Sequence, residues 1–361
     1  MIAGSASLLA SLTIIWIIWR DRYKKLKVVY HRLLFAISVL DVVISLNFAF
    51  SFLAIPEGMF WGAQGNTASC EASGFLQILY TSQGLYNLGL AVYYLMIIRY
   101  GKSQEFVSRF IEPYVHAVSL CLPIGFGCWA IVVDALNPYP FLGSWCGVNA
   151  YPQGCAEIGN GDCIRGEMAS TIKFALGIGM IFPSLIGVAA IMIMIVCHVR
   201  GQRASVTQYD TRPQLDRTVI QTVRQAMLYI WASLIPCAVI VTSLFVQGTE
   251  QIPRLLLALL TTLILPLQGV FNLIIYVRPR YIALRQRRGD SLSFFTMMQY
   301  IIFGEKSLAS QADQLLDDLA PEVYSTGGVR RQVFSPDPND EVESDASNRD
   351  AENVRSNAEE D

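Results

Sequence analysis

The chain has 361 residues, of which 53% are hydrophobic and only 16% charged, well below the charged fraction of about a quarter usual in soluble domains. Its net charge of −2 conceals an asymmetry. From Asp290 onward there are 16 Asp/Glu against 5 Lys/Arg, a net of −11, so the preceding part is basic. The composition argues against an ordinary soluble domain, and an acidic excess confined to a tail argues against a compact nucleic-acid binder.

Seven apolar stretches, at about 2–19, 33–55, 74–98, 114–136, 171–197, 224–246 and 254–277, approach or exceed the roughly 20 residues needed to cross a bilayer. The expected fold is an all-α membrane protein, a seven-transmembrane helix bundle over residues 1–289. The first stretch is followed, not preceded, by its cations, in RDRYKKLK. A signal peptide has the opposite order, so it reads as a spanning helix. The connections after the first, third, fifth and seventh stretches hold six, three, five and five Lys/Arg, while the opposite loops hold only Arg165 and Arg254. Positive charge stays on the cytoplasmic side. The amino terminus therefore faces out and the carboxy terminus in.

In the second stretch Asp41 lies about two turns from the cytoplasmic end. A carboxylate facing lipid is costly, so it is expected in the bundle interior, as a switch or ion-site residue or as a structural buried acid. The third stretch places Gln77, Tyr80, Gly84, Asn87, Ala91 and Tyr94 on one helix face. Small residues and amides there suit close helix packing; Gln77 and Tyr80, near the outer mouth, are also candidate ligand contacts. Arg99 and Tyr100 end this helix on the cytoplasmic side, Arg99 reading most simply as a positive-inside anchor.

Four cysteines, Cys70, Cys146, Cys155 and Cys163, fall in the outer segments, which permits three pairings. The expected pairs are Cys70–Cys146, tying the third helix to the second outer loop, and Cys155–Cys163, closing a short loop; free thiols are the alternative. In the fifth stretch Lys173 lies about one turn below the outer surface, either snorkelling outward or meeting an anionic ligand. Pro183 there and Pro236 in the sixth stretch predict kinks. In the seventh, Gln268, Asn272 and Tyr276 share one inward face, where Asp41 has Asn272 as a candidate partner. Arg278-Pro279-Arg280 then reads as the cytoplasmic stop and the turn into a surface helix.

Residues 290–306 include SLSFFTMMQYIIFG, apolar but too short to span. The segment is expected along the inner membrane surface or against the cytoplasmic helix ends. Residues 307–361 read as an acidic, mostly disordered tail. Ser335, Ser344 and Ser347 are candidate kinase sites there, with an unmodified solvating tail as the alternative.

YHRLLFAISVLD, YNLGLAVYYLMIIRYG, Trp145-Cys146 and PLQGVFNLIIY, in this order and placement, resemble the seven-helix G-protein-coupled receptors. The likeness is closest to cyclic-AMP-receptor-like and fungal glucose-receptor-like proteins and covers residues 1–285. The resemblance implies a Cys70–Cys146 disulfide, Asp41 as the acid of the second helix, and Arg99 with Tyr100 as the cytoplasmic pair that meets a heterotrimeric G protein. It also implies that Asn272 and Tyr276 keep the spacing of the seventh-helix Asn-Pro-x-x-Tyr motif. Two departures stand out. Ile98 replaces the acid that precedes the Arg in many receptors, and Leu273 replaces the motif proline, which predicts less kinking at that point.

The leading expectation is a plasma-membrane receptor for a small extracellular ligand, without metal or cofactor. A transporter of a small solute is the alternative, and it predicts repeats, broken helices or several buried charges. Retinal attachment is excluded because residues 254–277 hold no lysine. An enzyme is not expected: the three histidines, His31, His116 and His198, lie near cytoplasmic helix ends, without metal-ligand spacing to cysteine.

Overall fold

A computed structural model describes residues 2–59, 62–138, 145–152, 155, 163–206, 224, 227–228, 231–232, 260, 263–288, 298–299 and 301–302. The sixth apolar stretch with Pro236, most of the tail and its serines lie outside the described residues.

Among the described residues four helical stretches are long and apolar enough to cross a membrane: Ile2–Arg20, Val29–Ala54, Gln104–Val132 and Ala169–Gly201. Their packing is inverted relative to a soluble protein. Helix α1 (Ile2–Arg20) buries Gly4, Ser7, Ala10, Ser11 and Ile14 while exposing Leu9, Leu12, Trp16 and Trp19. Helix α3 (Val29–Ala54) likewise buries Ser38, Asp41 and Ser45 and exposes Val39, Val43, Leu46 and Phe50. Large exposed apolar faces would be costly in water, whereas in lipid the small and polar residues belong between helices. This pattern fits membrane association. Gly4 shows why small residues are needed: a Cβ there would lie 2.9 Å from the Ala49 backbone nitrogen.

The connection between α1 and α3 holds a single helical turn, α2 (Arg22–Lys25). Lys25 turns inward, its Nζ donating to the Ile17 carbonyl at 2.8 Å and to Asp21 at 2.6 Å. A cation so placed satisfies a carbonyl of the last turn of α1. Burial works against an ionised Asp21, but Lys25 and Arg20 outweigh it and hold its carboxyl below the usual value.

The third apolar stretch is two helices, α4 (Thr67–Ile78) and α5 (Tyr80–Ile98), meeting at Leu79, where a single helix was expected. The Thr81 hydroxyl donates to the Ile78 carbonyl at 2.8 Å, a local bond that competes with the helix ladder. Leu79 keeps a helical backbone and its N–H still reaches the Phe75 carbonyl. The Ser82 N–H turns to the Leu79 carbonyl at 3.0 Å, so the ladder is interrupted at this point. Helix α6 (Gln104–Phe110), capped by Ser103, precedes α7 (Glu112–Val132). The fourth span thus starts earlier than expected and is interrupted at Ile111, because Pro113 cannot donate to the preceding turn and enters well only at a helix start.

An all-α fold was expected, yet β1 (Leu136–Pro138) and β2 (Cys146–Val148) form a small antiparallel sheet. Helix α8 (Ala169–Leu176) then runs through a wide turn at Gly177–Ile181 into α9 (Phe182–Val206). In that turn the Phe182 N–H reaches back to Gly177. The kink expected from Pro183 takes this form: the missing donor leaves the turn before it free to widen.

The seventh stretch begins with a tight turn, Leu265–Leu267, containing Pro266, and continues as α10 (Gln268–Arg288). The expected stop at Arg278-Pro279-Arg280 is therefore corrected. The helix passes through Pro279, and packing accounts for it: Arg280 stacks on Tyr276 at 4.9 Å and Leu284 is buried beyond it. Helix α1 packs along α3 and α10, and α5 packs among α3, α7 and α9. Of the segment 290–306, Ile301 is buried with Met298 and Ile302 against the main apolar cluster, and Arg20 donates to the Ile302 carbonyl at 2.9 Å. At these residues it packs on helix ends.

Candidate functional site

The polar residues of the interior meet at one carboxylate. On α3 the spacing of Ser38, Asp41 and Ser45 keeps all three on the buried face. Asp41 Oδ2 accepts from Asn272 Nδ2 at 2.9 Å, and Asp41 Oδ1 accepts a short bond from Gln83 Nε2. A carboxylate removed from water is tolerated only where donors replace its hydration, and here two amides from two other helices do so. One side chain thereby joins α3, α5 and α10.

Gln268, Asn272 and Tyr276 are all buried on α10, as their spacing requires. The start of this helix is tied to α1. Gly269 N–H donates to Ser7 Oγ at 2.9 Å, and a Cβ at Gly269 would come within 2.2 Å of Ser11 Oγ. The irregularity of the seventh helix thus sits at Leu265–Leu267, before Asn272, consistent with Leu273 standing where a proline would have bent it. Asn87 is buried on α5, one turn beyond Gln83. Gln83 was missed by sequence reasoning, although Tyr80, Gln83 and Asn87 share the three-and-four spacing. The signal was present, but Gly84 occupied the neighbouring step of that stripe.

A chain of rings continues from Tyr276. Tyr276 meets His31 edge-on at 6.1 Å, His31 lies 5.0 Å from Tyr30, Tyr30 lies 6.2 Å from Tyr94, and Tyr94 meets Tyr93 at 5.4 Å. Arg99 and Tyr100 end α5 and are both exposed, with the guanidinium 5.8 Å from the tyrosine ring. A second cluster was not announced by the sequence. Arg32 on α3 donates to both oxygens of Glu112 on α7, at 2.6 and 2.5 Å, and to Ser108 and the Leu26 carbonyl at 2.7 Å each. His116 lies 3.7 Å from Glu112 and 2.9 Å from the Tyr86 hydroxyl on α5. A planar guanidinium suits this two-toothed pairing. The cluster clamps α3, α5 and α7 together.

The region around the disulfides is built differently. Disulfides join Cys70 to Cys146 and Cys155 to Cys163. Helix α7 closes on Asp134 in the left-handed region (φ 54°), with Ala135 N–H returning to the Ala130 carbonyl at 2.9 Å, a left-handed cap. Arg165 pairs with Asp134 at 2.8 Å and with Glu71, and Asn137 Nδ2 bridges the Asp134 and Asn149 carbonyls. The three candidate ligand residues have different surroundings. Tyr80 packs edge-on to Phe48 at 6.4 Å, half-buried Lys173 lies 3.4 Å from Asn149 Oδ1, and half-buried Gln77 has an inward Oε1 without a hydrogen bond among the described residues.

Among the described residues no three His, Cys, Asp or Glu side chains are grouped to hold a metal ion. In sequence comparison, no protein-family model and no curated protein matches the chain.

Proposed function

We propose that this chain is a plasma-membrane receptor of seven spanning helices that passes binding of a small extracellular ligand to a heterotrimeric G protein. Four spans are the helices named above; α4 with α5, the stretch 224–246, and the turn Leu265–Leu267 with α10 supply the other three. The observation that carries the reading is the Asp41 hub. It ties α3, α5 and α10 at mid-bundle by two hydrogen bonds, while α5 ends one helix length away in the exposed pair Arg99–Tyr100. A ligand shifts such a bundle only through differential affinity for two arrangements, and a hub of few bonds is where helix positions change at modest cost. Ile98 gives Arg99 no adjacent acid. In this reading the Arg32–Glu112 clamp holds the same end of the bundle instead.

The transporter alternative draws on the break at Leu79, where the Ser82 N–H turns to the Leu79 carbonyl; the Thr81 hydroxyl, however, occupies the Ile78 carbonyl that this leaves, so that oxygen is not free for an ion. The test is a second-messenger screen of the expressed chain with matched Arg99→Ala and Asp41→Asn variants. The expected result is a compound-dependent response lost in Arg99→Ala and altered in Asp41→Asn. Compound uptake without nucleotide exchange on any G protein would refute the proposal.

A further inference from the structure

The first cytoplasmic connection carries six cations, and the structure divides them into two sets. Arg20, Lys25 and Arg32 are engaged within the fold: Arg20 with Asp21 and the Ile302 carbonyl, Lys25 with Asp21 and Ile17, Arg32 with Glu112. Asp21, the one acid of this connection, is thereby neutralised from inside. Arg22, Lys24 and Lys27 face no acid among the described residues, and Lys24 and Lys27 are exposed.

Arg22 is also held in place. Its guanidinium lies 5.1 Å from the Trp19 ring and 5.0 Å from the Tyr23 ring, and donates to the Tyr23 hydroxyl at 3.2 Å. Trp19 in turn stacks on Phe35 of α3 at 6.3 Å. Stacking occupies the faces of a guanidinium and leaves its in-plane N–H donors, a geometry that suits phosphate. Trp16, Trp19 and Tyr23 are 53%, 50% and 77% exposed, and such rings settle at the headgroup level of a bilayer. Aromatic anchoring and uncompensated charge therefore coincide on one turn at the end of α1.

The geometry points to a binding site for the phosphorylated headgroup of an inner-leaflet lipid, a polyphosphoinositide, at Arg22, Lys24 and Lys27. Three cations without an acid match several phosphate charges better than a single phosphodiester. The bilayer supplies the occupant because the rings bracketing Arg22 are themselves membrane-facing. The site rests on the topology proposed above, in which this connection is cytoplasmic.

The test is native mass spectrometry of the full chain in detergent. A phosphatidylinositol bisphosphate is the probe, with phosphatidylserine, phosphatidylcholine and soluble inositol trisphosphate in parallel. Each cation near an anionic surface is worth about five-fold in affinity, so Arg22→Ala/Lys24→Ala/Lys27→Ala should lose about 100-fold. Arg22→Lys, which keeps the charge and loses the fork, should lose several-fold. Equal losses from neutralising Arg99, Lys102 and Arg109 would overturn the site, as would equal retention of phosphatidylcholine. Soluble inositol trisphosphate binding as tightly as the lipid would overturn the membrane source. Lys24→Cys labelled by an impermeant maleimide on intact cells would overturn the topology alone, since lipid retention in detergent would persist.

Discussion

The disulfide-bearing end and the middle of the helix assembly hold together by different means. At that end the Cys70–Cys146 disulfide, a small sheet and the Arg165 ion pairs fix β1, β2 and α4 around one another, and Cys155–Cys163 closes a short loop beside them in sequence. Inside, three helices meet at Asp41 through two side-chain hydrogen bonds. A covalent tie acts mainly by limiting the unfolded chain, whereas a hydrogen bond nets about 1 kcal/mol and is readily exchanged. The contrast teaches where this molecule is locked and where its helices have a cheap alternative.

The largest effect should come from the lock. Cys70 and Cys146 are 76 residues apart and Cys155 and Cys163 only 8. In the chain-entropy view the first bridge stabilises by about 4.5 kcal/mol and the second by about 2.5 kcal/mol. Cys70→Ser should therefore lower the apparent Tm in fluorescence-detected size exclusion clearly more than Cys155→Ser. Equal losses would mean that the two bridges do not differ as loop closures.

Breaking the Arg32–Glu112 clamp should come next. Glu112→Gln leaves the Arg32 charge half-buried with weaker acceptors, at a cost of about 2–3 kcal/mol, because an abandoned ion costs more than the pair contributes. A double-mutant cycle with Arg32→Ala checks this: additive losses would show that the two are not coupled.

The hub should respond more mildly in stability and more strongly in output. Asn272→Ala removes one donor to Asp41 and is expected to cost about 1–3 kcal/mol. Gln83→Ala should resemble it, and the two should be non-additive because they share one carboxylate. Thermal shifts of the single and double variants decide this.

The smallest effect is electrostatic and lies outside the spans. The Asp21 carboxyl titrates below its ordinary value when folded, so the native chain binds fewer protons than the unfolded one as pH falls. Its contribution is complete above the ordinary aspartate value and fades in acid through the lower folded value. Asp21→Asn should flatten that limb of a Tm-against-pH curve by lowering the neutral Tm slightly, with the two curves converging in acid. An identical acid limb would show that the Lys25 pairing has no such linkage.

Much of this arrangement was legible in the sequence, and the reasons are local. Helical spacing placed Gln268, Asn272 and Tyr276 on one buried face, and burial of an acid in a span pointed Asp41 toward an amide partner. Outer-loop cysteines were few enough to pair. What remained hidden depends on neighbours distant in the chain. Gln83 reads no differently from the residues around it until Asp41 stands opposite. Arg32 looks like one more positive-inside cation, and only the approach of α7 reveals Glu112 as its partner. Pro279 looks like a helix stop because its missing N–H is a local property, whereas the stacking of Arg280 on Tyr276 that carries the helix onward is not. Leu79 gave no warning, since the helix break there involves the Thr81 hydroxyl two residues later.

The central claim is that the Asp41 hub governs the cytoplasmic end of α5 at Arg99. Its most direct test is G-protein nucleotide exchange driven by the purified chain, using a compound from the second-messenger screen, with Asp41→Asn and Arg99→Ala in parallel. The account predicts exchange that Arg99→Ala abolishes and that Asp41→Asn shifts at an unchanged yield of folded protein. Exchange insensitive to both substitutions, or none from a folded chain with any G protein, would contradict it.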